Sequence, residues 1–400
     1  MTGVLAAVAP VAVTGYSVLT PLGDSVAALV AALRSGRSSV AADADFETAC
    51  TSRLLDFDPT RYAKVRGMRV YPRATQLEIC AVALALADAG FAEGAIDPLQ
   101  LGAVTASSFS HLETLIEYDR GLTTVGMQRT NPTLMPLALP SAPGAATALS
   151  ITAKAFAITL NDGGAAGLAA LGLGARLVAE GRARVCVVAG AATICRELVS
   201  SAAQARLLAP AAPLRVLDEA SCGTAFGEAA AALVLERPAD AAARGRAPVG
   251  FLRGQASTFA PGPDELAAAL ARACQRALRQ GKVAPEVLAL VSCGASGIAD
   301  SDRAHATALH RALGNAAERP AVTALKGNLG EVLDPSGLLQ CITALHALRE
   351  RIAPPIAALE RPAVAGLRYA TRETELAGGA ALLTASSSTG ACSALVLSSD

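Results

Sequence analysis

Tryptophan is absent, and Phe and Tyr bring the aromatic share to only 3%, although 52% of the 400 residues are hydrophobic. A core without large rings must be closed by Ala, Val and Leu, which suits helices packed tightly on a sheet. Lysine is nearly missing: Lys64, Lys154, Lys282 and Lys326 are the whole set, and arginine supplies the remaining positive charge. With 34 basic and 34 acidic residues the net charge is zero. No basic stripe interleaved with aromatics is present, which speaks against a nucleic-acid partner. The nine cysteines are scattered, odd in number and without C-x-x-C spacing. That excludes the usual zinc patterns and points to a reducing cytoplasm instead of a disulfide framework. Cys186, inside VCVVAG, reads as a small core residue.

Long apolar runs exist but do not read as membrane spans. Residues 1–23 carry no charge, yet the stretch lacks a basic start and contains Pro10 and Pro21, unlike a secretory signal. The uncharged run 130–153 contains Pro132, Pro136, Pro140 and Pro143, which no simple membrane helix would carry. The expectation is a soluble, cytoplasmic protein with no metal and no cofactor.

What is present alternates between strand and helix. VAVTGYSVL (11–19) has the β-branched content of a buried strand, and Asp24 or Ser25 can cap the helix VAALVAALRSG that follows. TQLEICAVALALADAG (75–90) reads as an apolar helix, GAVTASS (102–108) as a strand, and 111–126 as an amphipathic helix. The Pro-rich segment 131–144 reads as a long irregular connection. AFAITL, helix 164–180 and VCVVAG form a β-α-β unit, and FGEAAAALVLE (226–236) a further strand. A charged, Ala-rich stretch, 237–248, separates this half (1–240) from a second half (247–400) of similar rhythm. The second half has helices over 263–280, 301–314 and 336–350 and two closing strands around a Ser/Gly turn. This is an α/β pattern with apolar helices on both faces of sheets.

The usual chemical motifs are missing. No phosphate-binding G-x-x-x-x-G-K-[ST] and no H-E-x-x-H occurs, and the lone G-x-G at Gly172 and Gly174 lies inside a helix. Of the four histidines, His305 and His310 share a charged helix and read as solvated, while His346 reads as packing or surface. No Cys or Ser stands at a strand-to-helix elbow beside a base; Gly163 and Gly164 occupy that elbow.

Four stretches in order resemble the β-ketoacyl synthases of the thiolase superfamily over nearly the whole chain. VAVTGYSVLTPLGDSVAALVAALRSGRSSV resembles the opening strand, turn and helix. GLAALGLGARLVAEGRARVCVVAGA is similar to the helix and strand after the active-site cysteine. LDEASCGTAFGEAAAALVLE is similar to the D-G-F-x-x-G-E-G-A-G segment, and LKGNLGEVLDPSGLLQCITALHALRERIAPP to the Lys-to-His-to-Gly region. The resemblance implies a thiolase-like fold of two βαβαβαββ halves in αβαβα layers, an obligate dimer, and a nucleophilic Cys with two His. Here each of those catalytic positions differs. The family's T-A-C-x-x-G falls on residues 162–167, placing Gly164 at the Cys; its H-G-T falls on Gly294, Ala295 and Ser296; and its K-x-x-x-G-H runs from Lys326 to Glu331. Lys326 and Gly330 are retained, and Gly390 alone remains of the late glycine-phenylalanine loop.

Glycine holds no acyl chain, and an ionised Glu331 would repel an oxyanion, so the resemblance narrows to a subunit without catalytic residues. Lys326 and Glu331 are expected to neutralise each other. The similarity is to the chain-length factors of bacterial type II polyketide synthases, whose implied partners are a catalytic ketosynthase subunit in a heterodimer and an acyl carrier protein. Gln, usual at this position in aromatic-polyketide chain-length factors, is Gly164 here, which leaves room for polyene-making systems. The implied tunnel wall comprises Leu112, Leu115, Tyr118 and Met127. Two rival readings stand beside it: a thiolase-fold acyltransferase using Asp162 or Glu331 as base, and a structural homodimer that binds an apolar ligand.

Overall fold

The computed structural model describes residues 9–46 and 49–400; the first eight residues of the uncharged opening lie outside the described residues. Eleven strands form the main sheet: β1 (Val11–Leu19), β2 (Leu101–Ala106), β3 (Phe156–Leu160), β4 (Val185–Ala192), β5 (Ala229–Glu236), β6 (Gly250–Phe259), β7 (Leu288–Ser292), β8 (Ala321–Thr323), β9 (Arg368–Tyr369), β10 (Ala380–Ser386) and β11 (Ala391–Ser398). Their spatial order is β9-β8-β7-β10-β11-β6-β1-β5-β4-β2-β3.

One arrangement occurs twice. In the first set the order is β3-β2-β4-β5-β1, with β2 parallel to β3 and β4, and β5 antiparallel to both β4 and β1. In the second it is β8-β7-β10-β11-β6, with the same pattern of directions. The sets meet edge to edge where Val11, Ala12 and Val13 pair with Leu252, Phe251 and Gly250. The unit AFAITL-helix-VCVVAG does not pair its own strands, because β2 lies between β3 and β4, parallel to each.

Helices fill three layers. On the outside of the first set, α2 (Arg73–Asp88) packs on β1, β5 and β4. Between the sets lie α5 (Ala166–Ala179) and α8 (Ser336–Glu350); α5 touches β2 and β4 on one side and β6 and β11 on the other. Outside the second set, α6 (Leu266–Gly281) covers β6 and β11, with α7 (Ala299–Leu313) against it. The molecule is therefore an αβαβα sandwich of thiolase-like type. No helix among the described residues is long and apolar enough to cross a membrane.

Small residues make this layering possible. Gly15 lets β1 lie against the end of α2, where an added Cβ would stand 2.5 Å from Ala89 N and 2.6 Å from Ala85 O. The central helices cross with Gly337 under α5, where a Cβ would stand 2.5 Å from Leu168 N. Around that crossing Leu168, Leu171, Leu338 and Leu345 are fully buried, each contributing about 1.5–3 kcal/mol of transfer free energy. Ser25 caps α1 (Val26–Arg34), accepting a hydrogen bond from Ala28 N at 3.3 Å.

Two expectations are corrected. The Pro-rich segment is not wholly irregular: it holds a helical turn, Leu134–Leu137, and the start of α4 (Ala142–Ser150). Pro143 fits there because the first turn of a helix has no intrahelical use for its N–H. The second correction is His305, which is buried instead of solvated.

Candidate functional site

Three loops converge at the ends of the central helices. The first follows β3, where Gly163 adopts φ +55°, a conformation that favours glycine, and Gly163–Ala165 form a single 3-10 turn that leads into α5. The second follows β7 and carries Gly294. The third follows β8, where Lys326–Leu329 form a helical turn ended by Gly330 at φ +72°. A Cβ on Gly330 would stand 2.6 Å from Ala225 O, so the left-handed turn and the close approach both require glycine. Glu331 N then donates to Ala225 O at 2.6 Å, fixing the start of the segment that leads into α8.

The structure brings Gly164, Gly294, Lys326 and Glu331 together. Lys326 Nζ is 2.5 Å from Glu331 Oε2 and donates to Gly294 O at 3.0 Å. Glu331 Oε1 accepts from Leu333 N at 2.9 Å and Ser336 Oγ at 3.2 Å. A Cβ placed on Gly164 would stand 3.8 Å from Lys326 Nζ and 3.9 Å from Glu331 Oε1. The expected neutralisation is thus realised as a nearly dry ion pair, with side chains 7% and 12% exposed. Such a pair presents no free positive charge to a developing oxyanion, and its carboxylate is already fully engaged.

Sequence reasoning missed the polar groups behind this pair. His305 hydrogen-bonds through Nε2 to Ser386 Oγ at 2.9 Å and through Nδ1 to Thr384 Oγ1 at 3.3 Å. Burial and the nearby Lys326 charge push its pKa down to about 3, so the ring is neutral. The signal was in the helix: Asp302, His305, Ala306, Leu309 and Leu313 fall on one helical face, and all are buried. Asp334 accepts from Ser108 Oγ at 2.6 Å and Ser108 N at 2.7 Å, and Ser108 Oγ in turn accepts from Gly163 N at 2.8 Å. Burial raises the Asp334 carboxyl to about 7 against the hydrogen bonds from Ser108 and Phe109. Behind it, Glu78 is fully buried, receives Thr147 Oγ1 at 2.7 Å, and is raised to about 8 by burial.

The remaining candidates lie elsewhere. Leu112, Leu115 and Tyr118 stand on α3 (Leu112–Thr124), with Leu112 and Tyr118 half-buried and Leu115 40% exposed. Met127 is 83% exposed. Gly390, at φ +93°, closes the turn between β10 and β11. His310 bonds Ala365 O at 2.8 Å, and His346 is half-buried, 3.6 Å from Glu350. Cys186 is fully buried. No group of three or more metal-ligating side chains occurs among the described residues.

Comparison with known proteins places this geometry. The model of the β-ketoacyl synthase N-terminal domain matches residues 8–241, and that of the C-terminal domain matches residues 251–360. The 3-oxoacyl-[acyl-carrier-protein] synthase 2 of Synechocystis is 27% identical over 369 residues, 88% of either chain. The actinorhodin polyketide putative β-ketoacyl synthase 2 of Streptomyces coelicolor is 40% identical over 133 residues, 33% of this chain and 32% of its own. Among solved structures, the ishigamide ketosynthase/chain length factor superposes with a TM-score of 0.87 at 24% identity, covering 97% of this chain and 98% of that one.

Proposed function

This chain belongs to the β-ketoacyl synthase family, and within it we propose a non-catalytic chain-length factor. It pairs with a Cys-containing ketosynthase subunit, to which an acyl carrier protein delivers the chain, and shapes the tunnel that sets polyketide length, polyenes included. The observation that carries this reading is the Gly164–Gly294–Lys326–Glu331 cluster. Its two glycines hold neither nucleophile nor base, and its only charges cancel at 2.5 Å. The likeness to the ishigamide ketosynthase/chain length factor supports the pairing. The division into halves at 1–240 and 247–400 belongs to the same proposal, supported by the strand order that occurs twice.

The surface supports a protein partner. Strand β3 ends the sheet, so among the described residues no strand pairs with its outer edge. Beside it α4 carries Leu149, 74% exposed, and the adjoining stretch exposes Leu115, Val125, Met127, Met135 and Leu139. Such an apolar face next to an open strand edge fits a chain that is covered by another. Leu112, Leu115 and Tyr118, three residues apart along α3, share one face there.

A tunnel wall selects length by sequestration. Burying one methylene contributes about 0.8 kcal/mol, so a two-carbon extension changes the balance by roughly 1.6 kcal/mol. Overfilling a packed wall opposes that gain, and about tenfold discrimination per step follows without any reacting group. The rival reading of Glu331 as a general base has no support in the geometry, because both carboxylate oxygens are engaged.

The test is co-expression with a Cys-containing ketosynthase, followed by size measurement and an elongation assay. The proposal expects a stable one-to-one complex whose elongation requires both chains. Turnover of an acyl thioester by this chain alone, or a self-dimer indifferent to the ketosynthase, would overturn it.

A further inference from the structure

The cluster is not an empty pocket. A Cβ on Gly164 would stand 2.8 Å from Ser386 O, closer than real Cβ atoms approach an oxygen. A Cβ on Gly294 would fall on Thr384 O and lie 2.9 Å from Ala385 Cα. The end of β10 therefore fills the volume that side chains at these two positions would need. The same segment reaches over the elbow, since a Cβ on Gly163 would meet Ser387 Oγ at 3.1 Å.

His305 is the side chain that ties this segment down. One ring nitrogen bonds Ser386 and the other bonds Thr384, the two residues whose backbone oxygens fill the space. A neutral imidazole has one donor and one acceptor, and two rotatable hydroxyls satisfy both. Gln340 of α8 adds a second hold on Thr384 alone, donating from Nε2 to Thr384 O at 3.2 Å. Ser386, the residue over Gly164, lies opposite Cys392 in the β10–β11 ladder, and His305 is the partner of its side chain. The Ser386–His305 contact has the outline of a nucleophile and base, but burial and the nearby Lys326 charge lower the ring's basicity, which makes it a poor acceptor for a serine proton.

We propose that His305 is a positioning residue that holds the Thr384–Ser387 segment inside this subunit's own site, closing it to any acyl group. The growing chain is then confined to the partner's cysteine and the shared tunnel. This inference rests on the chain-length-factor reading but fails separately from it. An open site in a complex that still acylates only the partner would remove the plug and leave that reading intact.

The test introduces a thiol with Gly164→Cys in the full-length chain, in complex with its ketosynthase, and follows labelling by monobromobimane with peptide mapping. The exposed natural Cys222 is the internal reference. The introduced thiol should react about 100-fold more slowly than Cys222, and equally once the protein is denatured. Adding His305→Ala should speed its labelling about tenfold or more, while His305→Gln, which can still bond Ser386, should keep it slow. Labelling within a few-fold of Cys222, or a rate indifferent to His305→Ala, would overturn the proposal. Because Gly164→Cys itself crowds Ser386, amide hydrogen exchange of 384–388 in the otherwise unaltered complex gives a second reading. There His305→Ala should raise exchange about tenfold and leave β1 unchanged, and no difference would equally refute the role.

Discussion

Replacing Lys326 with Met removes the cation that faces Glu331 in a nearly dry contact of 2.5 Å. The carboxylate left behind keeps Leu333 N and Ser336 Oγ as donors but loses its counter-charge. Breaking a buried pair from one side costs about 3–5 kcal/mol, because a desolvated charge is stranded. Glu331→Gln strands the ammonium in the same way, while its amide oxygen still serves Leu333 N. With unfolding entropy near 2.1 cal/mol/K per residue, 400 residues give roughly 0.84 kcal/mol/K, so each single change should lower the melting temperature by about 4–6 °C. The double variant Lys326→Met with Glu331→Gln strands no charge, and should recover most of the loss. Calorimetry of the purified chain and its three variants closes the cycle, with an expected coupling of several kcal/mol. Single effects that simply add, within about 0.5 kcal/mol, would refute the argument that each charge is held by the other.

Three further outcomes are expected. Leu115→Trp adds bulk to the exposed face of α3 and should shift products of the complex toward shorter chains in a mass-spectrometric product profile; unchanged length would count against the wall. Glu78→Gln probes a buried carboxyl whose folded pKa, about 8, lies above its unfolded value of 4.5. Its proton stabilises the fold fully below pH 4.5, and that contribution is lost as pH rises through 8, at up to about 1.4 kcal/mol per unit. The Gln variant has no such proton, so its urea midpoint should gain on the parent chain between pH 5 and 8; parallel pH profiles would disprove the assignment. Gly15→Ala forces a Cβ to 2.5 Å from Ala89 N and should separate β1 from α2 at a cost of about 1–3 kcal/mol, seen as a lower melting temperature.

Local chemistry made much of the fold readable. The β-branched run 11–19, the Ser25 cap and the apolar run 75–90 each carry their own signal, and the structure places strand, cap and helix there. The Lys326–Glu331 pairing was also readable, since a five-residue separation across a tight glycine turn lets opposite charges meet. The helix at 142–150 was hidden because Pro143 reads as a breaker unless the first turn is already known. His305 was misjudged because its charged neighbours, Asp300 and Arg303, outweighed the buried face it shares with Ala306 and Leu309. The filling of the space beside Gly164 and Gly294 had no sequence signal at all. It depends on backbone oxygens brought from residues 384–386, and glycine alone does not say whether the volume it vacates is open or taken.

The most direct measurement follows a labelled acyl group through the working complex by intact-mass spectrometry of both chains during turnover. The account predicts label on the partner's cysteine and none on this polypeptide at any time. A covalent acyl adduct on this chain would contradict it.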